Sequence, residues 1–425
     1  MGSLWRTWVA IDGYEDSTIT GMTRRFVDPF SPNRPVDDPD RFAGRRDQVD
    51  EVVDALYQLH NGNPRHCIIT GDRGIGKSSL LLQARLLSQG DNRLAERLGL
   101  ELGVSEFQFG TAWHDADRGQ KLRDVVAGLA RETESWLKTL LGRLNFKLSI
   151  FHTLEISRKE TDDATVADLA HSFADDCTQA GERLRAEGYR GLIFFIDELD
   201  RVDPESGVAS FFKLATERLA RDGIEDVAFF AAGITGAIQK LEEDHASIVR
   251  VFRDIPIPRW TLQEADELLR GGFEEVGVSY EPQIVEHGHK LSGGFPEPLH
   301  LIGSEILSVD EDGHLTLEDL EEAKKTIVTD VRRNKLESLL RSAGSGKYQQ
   351  ILKAMAEYGG PNVPLKHIST HLNQEQSQYS ANMGTLIERG ILTKPDVGVY
   401  SFADPLLKEY IREFGIISVD VQEAS

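Results

Sequence analysis

Cysteine is almost absent: the 425 residues hold two, Cys67 and Cys177, which excludes a disulfide framework and suits a reducing cytoplasm. Long apolar runs are missing too. No stretch approaches the length of a membrane-spanning helix, and Trp8-Val9-Ala10-Ile11 is too short for a signal-peptide core, so neither a membrane partner nor export is expected. Arg6 stands where a myristoylation signal needs Ser or Thr. Positive charge is scarce. The 48 Lys and Arg face 70 Asp and Glu, and the net charge of -22 argues against a protein coated in nucleic acid through non-specific phosphate contacts. A local basic groove remains compatible with that balance. With 40% apolar and 28% charged residues the chain has ordinary globular composition. Its length suggests about two to four domains.

One segment carries chemistry on its own. Residues 71–78 read Gly71-Asp72-Arg73-Gly74-Ile75-Gly76-Lys77-Ser78, a complete G-x-x-x-x-G-K-[ST] phosphate-binding loop. It follows the apolar run Cys67-Ile68-Ile69-Thr70, read as a buried strand, and opens a helical run from Ser79 to Leu87. The glycines let the backbone curl so that successive N–H groups face phosphate, and the helix N-terminus adds the positive end of its dipole. Lys77 can reach the β- and γ-phosphates, and the Ser78 hydroxyl can ligate Mg²⁺. The run from Gly71 to Ser79 is the candidate cofactor-binding segment.

Residues 1–40, punctuated by Pro29, Pro32, Pro35 and Pro39, read as an extended arm. Val49, Val52, Val53, Leu56 and Tyr57 then fall at helical spacing. Strands are expected at Glu106–Phe109, Leu192–Ile196, Val227–Ala232 and Asp254–Ile257. Helices are expected over about 120–144 and 165–187, with an inserted hairpin through Phe146, Leu148, Ile150, Leu154 and Ile156. Alternating strands and helices imply a parallel sheet covered on both faces. After Pro258 the strands stop, and 261–335 read as helices broken at Gly293-Gly294-Phe295-Pro296, with an interhelical turn at Asp310–Gly313. Residues 346–414 show three helical stripes and then a hairpin, the pattern of a winged helix.

The apolar run from Leu192 ends in Asp197-Glu198, at the strand edge where parallel sheets place ligands. A carboxylate there can hold the Mg²⁺ water shell, and its neighbour can orient or deprotonate an attacking water. Asp197 is the candidate for the metal and Glu198 for the water.

Together, Phe42-Ala43-Gly44-Arg45-Arg46-Asp47, the phosphate loop, Ile196-Asp197-Glu198-Leu199-Asp200 and Gly294-Phe295-Pro296 resemble the AAA+ superfamily. The likeness covers about residues 29–415 and leans toward the STAND signalling ATPases and the related archaeal-type and origin-recognition-type ATPases. It implies an α/β fold: a parallel-sheet P-loop NTPase core (41–260), a helical lid (261–340), a C-terminal winged-helix domain (345–415) and a flexible tail (416–425). It implies ATP and Mg²⁺ as cofactors, a base-binding role for Phe42, Ala43 and Gly44, and an approach of Gly294 and Pro296 to the nucleotide from the lid. Thr235 takes the family's first sensor position, unless it caps the following helix. The Gly-Phe-Pro turn lacks the arginine that many such lids aim at the γ-phosphate; Glu297 and His300 stand there instead. Arg250 is the candidate arginine acting on a neighbouring subunit, with Arg253 its competitor and a surface salt bridge the plain alternative for both.

The resemblance implies a cytoplasmic switch that assembles with itself and governs a protein effector, or alternatively a DNA-binding ATPase using its winged helix on duplex DNA. The latter domain holds seven Lys/Arg and seven Asp/Glu, so charge alone does not choose. Its third helix offers Gln374, Gln376, Gln378, Tyr379, Ser380 and Asn382, with Lys366, Arg389 and Lys394 around it. Gly344-Ser345-Gly346-Lys347 fails as a second phosphate loop and reads as a linker. His367 and His371 read as a solvated helix face rather than a metal edge.

Overall fold

The computed structural model describes residues 26–140 and 165–415. The expected hairpin around 146–156, the first 25 residues and the tail from 416 lie outside the described residues. Five parallel strands form the central sheet in the order β2-β3-β4-β1-β5: β1 His66–Gly71, β2 Gly110–Asp115, β3 Leu192–Asp197, β4 Val227–Ile234 and β5 Phe252–Pro256. Side chains of β1, β3 and β4 alternate between two covered faces, as strands buried on both sides require. Cys67, Ile69, Ile193, Phe195 and Phe230 pack under α1 (Arg46–His60), α2 (Lys77–Ser88) and α3 (Arg93–Leu98). Ile68, Phe194, Ile196 and Phe229 pack under α4 (Leu122–Leu140), α5 (Val166–Ala186), α6 (Val208–Arg221) and α7 (Ala237–Asp244).

Two strands differ from expectation. Glu106–Phe109 is not a strand; Phe107 and Phe109 point into the α1–α2 core instead, and the ladder to β3 starts at Gly110. The last strand begins two residues early, at Phe252, because that ring joins the aromatic cluster of Phe212 and Phe229.

The lid comprises α8 (Leu262–Val276), α9 (Gln283–Ser292), α10 (Pro296–Val309), α11 (Leu317–Thr326), a π-helical turn Ile327–Val331 and α12 (Arg333–Ala343). Thr261 with Glu264 and Thr316 with Asp319 form capping boxes that start α8 and α11. Strands do not stop at Pro258: β6 (Ser279–Tyr280) and β7 (His314–Leu315) pair in parallel across the lid. Asp310–Gly313 is the expected turn, closed by Asp310 accepting from Asp312 N and Gly313 N.

The C-terminal unit runs α13 (Lys347–Ala356), β8 (Val363–Pro364), α14 (Leu365–Leu372), α15 (Ser380–Glu388), β9 (Leu392–Asp396), β10 (Val399–Phe402) and α16 (Leu406–Phe414), with an antiparallel sheet ordered β8-β10-β9. The closing helix α16 was not legible beforehand. It packs on α12, so Leu336, Leu340 and Ala343 share one core with Ile351, Tyr410 and Ile411. Residues 342–346 are therefore no clean boundary: core contacts cross them.

Nor is the described part of the arm free. Phe30 inserts its ring into the lid over Gly272 and Gly303, where an added Cβ would come within 2.4 Å and 2.6 Å of it. Six residues later Val36 is tied to α2, its N–H donating to Ser79 Oγ at 3.1 Å and its carbonyl accepting from Gln83 at 3.0 Å. The segment is a strap across lid and core. Phe30→Ala should destabilise the protein by about 3 to 5 kcal/mol through the lost ring and the cavity left behind. A lower thermal unfolding midpoint checks this; an unchanged midpoint would show that the ring is not anchored there.

Candidate functional site: a phosphate loop under a helical lid

The loop after β1 turns back through Gly74 (φ 77°) and Gly76 (φ 100°), both in the left-handed region where only glycine is unstrained. Gly76 also starts α2, and no side chain caps that helix. Its first N–H groups are thus left for an anion, the donor set a phosphate requires. Lys77 folds back on the loop, with Nζ donating to the carbonyls of Gly71 at 3.0 Å and Asp72 at 2.9 Å. Burial lowers its pKa, opposed by the carboxylates of Asp200, Asp197, Asp72 and Glu198.

Those carboxylates gather because β4 lies between β1 and β3 at the same sheet edge. Asp197 ends β3, is buried, accepts from Glu198 N at 2.8 Å, and is hydrogen-bonded to the Ser78 side chain. Burial raises its pKa against those hydrogen bonds. A hydroxyl and a carboxylate side by side suit a hard cation that keeps most of its waters, as Mg²⁺ does. Glu198 adopts φ 54° at the start of a short 3₁₀ turn, is partly exposed, and pairs with Arg201 at 2.5 Å. Burial is the largest influence raising its pKa, and Arg201 opposes it. Thr235 follows β4. Its N–H donates to Gly71 O at 3.2 Å and its hydroxyl to Asp72 Oδ1 at 3.1 Å, while Gly236 caps the next helix. Thr235 therefore braces the phosphate loop rather than capping α7.

A cleft of about 480 Å³ opens between loop, strap and lid. Its polar lining includes Gly74, Gly76, Lys77, Ser78 and Ser79 of the loop with Arg73 and Glu198, and its apolar lining includes Pro32, Pro35, Val36, Phe42, Ala43, Ile75 and Trp260. Trp260 is buried, and its indole N–H has no partner among the described residues, a donor suited to a ring nitrogen or carbonyl of a bound base. A lining that combines phosphate-loop donors with apolar side chains suits a ligand carrying both phosphates and a base.

Arg45 holds this cleft together, and its role was not read from the sequence. It is buried, donates to Pro258 O at 2.5 Å and Ile75 O at 3.1 Å, and lies over the Trp260 ring at 5.6 Å. Its backbone N–H reaches Glu264 of the lid at 3.0 Å. Burial pulls its pKa down to about 10 despite Glu264.

The lid enters through Gly294 (φ 78°), which packs so tightly on Trp260 that an added Cβ would lie 2.9 Å from the Trp260 carbonyl oxygen. Trp260 N donates to Gly294 O at 2.8 Å. Pro296 then starts α10 beside Gly76, and Glu297 N makes a long 3.4 Å contact with Gly74 O. Glu297 pairs with Arg332, a second residue that sequence reasoning passed over because it lies far along the chain, at the start of α12.

Of the candidate residues, Phe42, Ala43, Arg73 to Ser79, Glu198 and Pro296 line the cleft. Gly44, Gly71, Asp72, Gly294, Asp197 and Thr235 are not among its lining residues. Gly44 is fixed by Glu267 at 3.1 Å and Gly71 is packed on Ile75 and Ile257. Arg250 is not brought to them. It is exposed on the 3₁₀ turn Ile248–Arg250 preceding β5, at the opposite sheet edge. Arg253 is committed to Glu51 and Asp54 at 3.2 and 3.4 Å.

This loop, acidic strand end and sheet order define a P-loop nucleoside triphosphatase fold. Residues 41–223 match the family model described as AAA ATPase domain. Residues 340–411 match a domain of unknown function, DUF8462. No curated protein matches. Among solved structures the chain is similar to a Walker-type ATPase of Pyrococcus abyssi, with 19% identity, 89% of this chain and 99% of that one covered, and a TM-score of 0.56. It is also similar to the ORC2 protein of Aeropyrum pernix, with 14% identity, 87% and 93% covered, and a TM-score of 0.50. At such identities the likeness is one of fold.

Arg45→Met should keep the contact with Trp260 while leaving the Ile75 and Pro258 carbonyls without their donor, at a cost of about 2 kcal/mol. The unfolding midpoint should fall. An unchanged midpoint would mean that water replaces the guanidinium.

Proposed function

We propose that the chain is a Mg²⁺-dependent ATPase working as a nucleotide-driven switch, which assembles with itself in the cytoplasm and governs a protein effector through a C-terminal winged helix. The observation that carries the reading is the convergence of Lys77, Ser78 and Glu198 on one cleft, with Asp197 bonded to Ser78 behind them and the lid turn closing over the loop. Bound Mg²⁺ supplies countercharge to the phosphates. Lys77 leaves the Gly71 and Asp72 carbonyls to take phosphate oxygens. Glu198, released from Arg201, accepts a proton from water. Thr235 keeps Asp72 and the loop in register. STAND-like regulation is supported by the shared core of lid and C-terminal unit, through which lid motion would reach residues 345–415.

Duplex DNA is the second reading, favoured by exposed Gln376, Gln378, Ser380, Lys366 and Lys394. Against it, Tyr379 is buried and bonded to Ser369, so it is no surface reader, and Arg389 is occupied by the carbonyls of Ser342 and Ala343. A salt-dependent DNA shift assay on the full chain separates the readings.

Lys77→Ala should abolish ATP binding, whereas Glu198→Gln should retain ATP and slow hydrolysis about a hundredfold or more. Wild-type affinity in the first variant, or unchanged turnover in the second, would contradict the assignment. Arg250 lies far from its own cleft, so Arg250→Ala should impair hydrolysis only by acting on a neighbour's site. Mixing it with Lys77→Ala should restore part of the activity, since intact sites then meet intact arginines; no recovery would make Arg250 structural within its own subunit.

A further inference from the structure

The chain carries a net charge of -22, yet one cleft away from the phosphate loop is lined mainly by cations. It holds about 200 Å³ and lies in the seam between the lid and the C-terminal unit. Arg259 enters it from the segment before α8, Lys290 from the last turn of α9 and Lys324 from α11, while Lys408 and Arg412 come from α16. Only two carboxylates share the lining. Glu321 pairs with Lys324, and Glu409 with Arg412 at 2.8 Å, which leaves Arg259, Lys290 and Lys408 with no ion pair among the described residues.

Cations gathered in this way repel one another, and burial removes the water that would screen them. Lys408 bears the cost. It is buried and donates to Gly360 O at 2.8 Å, and its ammonium is pushed down to about 8 by burial, then by the charges of Arg412 and Lys290, against Glu409. Arg259 lies over the Phe295 ring at 4.7 Å and donates through one terminal nitrogen to Asn362 at 3.3 Å. Its other terminal nitrogen is buried with no acceptor among the described residues. An unused buried donor and a cluster of repelling cations are relieved by the same thing, an anion.

We propose that this seam is a binding site for a small phosphate-bearing anion, which fastens the C-terminal unit to the lid by bridging Lys290 and Lys324 to Lys408 and Arg412. The proposal is independent of the nucleotide reading above. Phosphate suits the site because arginine forks and lysine ammonium groups both grip it through charge-assisted hydrogen bonds. A volume below the roughly 300 to 1,000 Å³ of pockets for drug-sized ligands selects a smaller molecule. Leu291, Leu320 and Phe402 also line the cleft, so a short apolar group on the phosphate is accommodated. The bridge lies beside an existing contact of the two units: a Cβ added to Gly293 of the lid turn would stand 3.3 Å from Pro405, just before α16.

The test is calorimetric titration of inorganic pyrophosphate and of phenyl phosphate, without Mg²⁺, into full-length wild type and Lys77→Ala, the latter removing the lysine of the phosphate loop. Binding should persist in Lys77→Ala and fall with added salt, and it should weaken about tenfold or more when Lys290→Gln and Lys324→Gln are added to that variant. Either phosphate should raise the unfolding midpoint of Lys77→Ala and leave that of the triple variant unmoved. Without ligand the two lysine changes should not lower the midpoint, because they relieve repulsion. Tighter binding of phenyl phosphate would support the site and assign it to organic phosphates; tighter binding of pyrophosphate would support it and assign it to a free phosphoanion. Undiminished binding in the triple variant, binding that Lys77→Ala alone abolishes, or a ligand-free midpoint lowered by the lysine changes would overturn the proposal. So would binding of a tetraglutamate peptide where neither phosphate binds, which would make the seam a docking site for acidic peptide.

Discussion

The start of the helix after β1 is left without a side-chain cap, and the surrounding structure is organised by that choice. Gly74 and Gly76 take left-handed conformations so that the loop can turn its N–H groups inward, which concentrates partial positive charge at one point. Lys77 lies back on two carbonyls of the same loop, so its charge is satisfied in the resting chain and available for exchange. The carboxylates that a metal needs stand opposite, because the sheet order places β4 between the phosphate strand and the acidic strand. Thr235, at the end of that intervening strand, is then the natural brace between them.

Three of the charged groups around this point are paired off. Glu198 is held by Arg201, Glu297 by Arg332, and Arg45 by backbone carbonyls of both core and lid linker. The Arg45 and Arg332 contacts each link the cleft to a different structural element, whereas Glu198 and Arg201 share one 3₁₀ turn. Small rearrangements at the phosphates can thus be passed on as exchanges of ion-pair partner, and the continuous core of lid and C-terminal unit gives such exchanges a long reach.

Much of the ATPase core was legible in the sequence because its signals are local. The phosphate loop is a contiguous motif, and β3 and β4 announce themselves as apolar runs that only a doubly covered strand explains. Legibility failed where partners are distant. Phe107 and Phe109 look like strand residues by alternation, yet their rings fill the space beside His60. Phe30 and Val36 sit in a proline-rich stretch that reads as an arm, and only two glycines on separate lid helices reveal the strap. Arg45 stood inside a quoted motif with no sign that it would be buried. Arg332 had no motif at all, since its meaning depends on Glu297, 35 residues earlier in the chain.

The most direct measurement is a crystal structure of the chain with Mg²⁺ and a non-hydrolysable ATP analogue. The triphosphate should lie along Gly74 to Ser78, with Lys77 Nζ moved from the Gly71 and Asp72 carbonyls onto phosphate oxygens and the metal beside Ser78 and Asp197. An analogue bound elsewhere, or a Lys77 still folded on its own loop beneath a bound triphosphate, would contradict the reading of this cleft as an ATPase site.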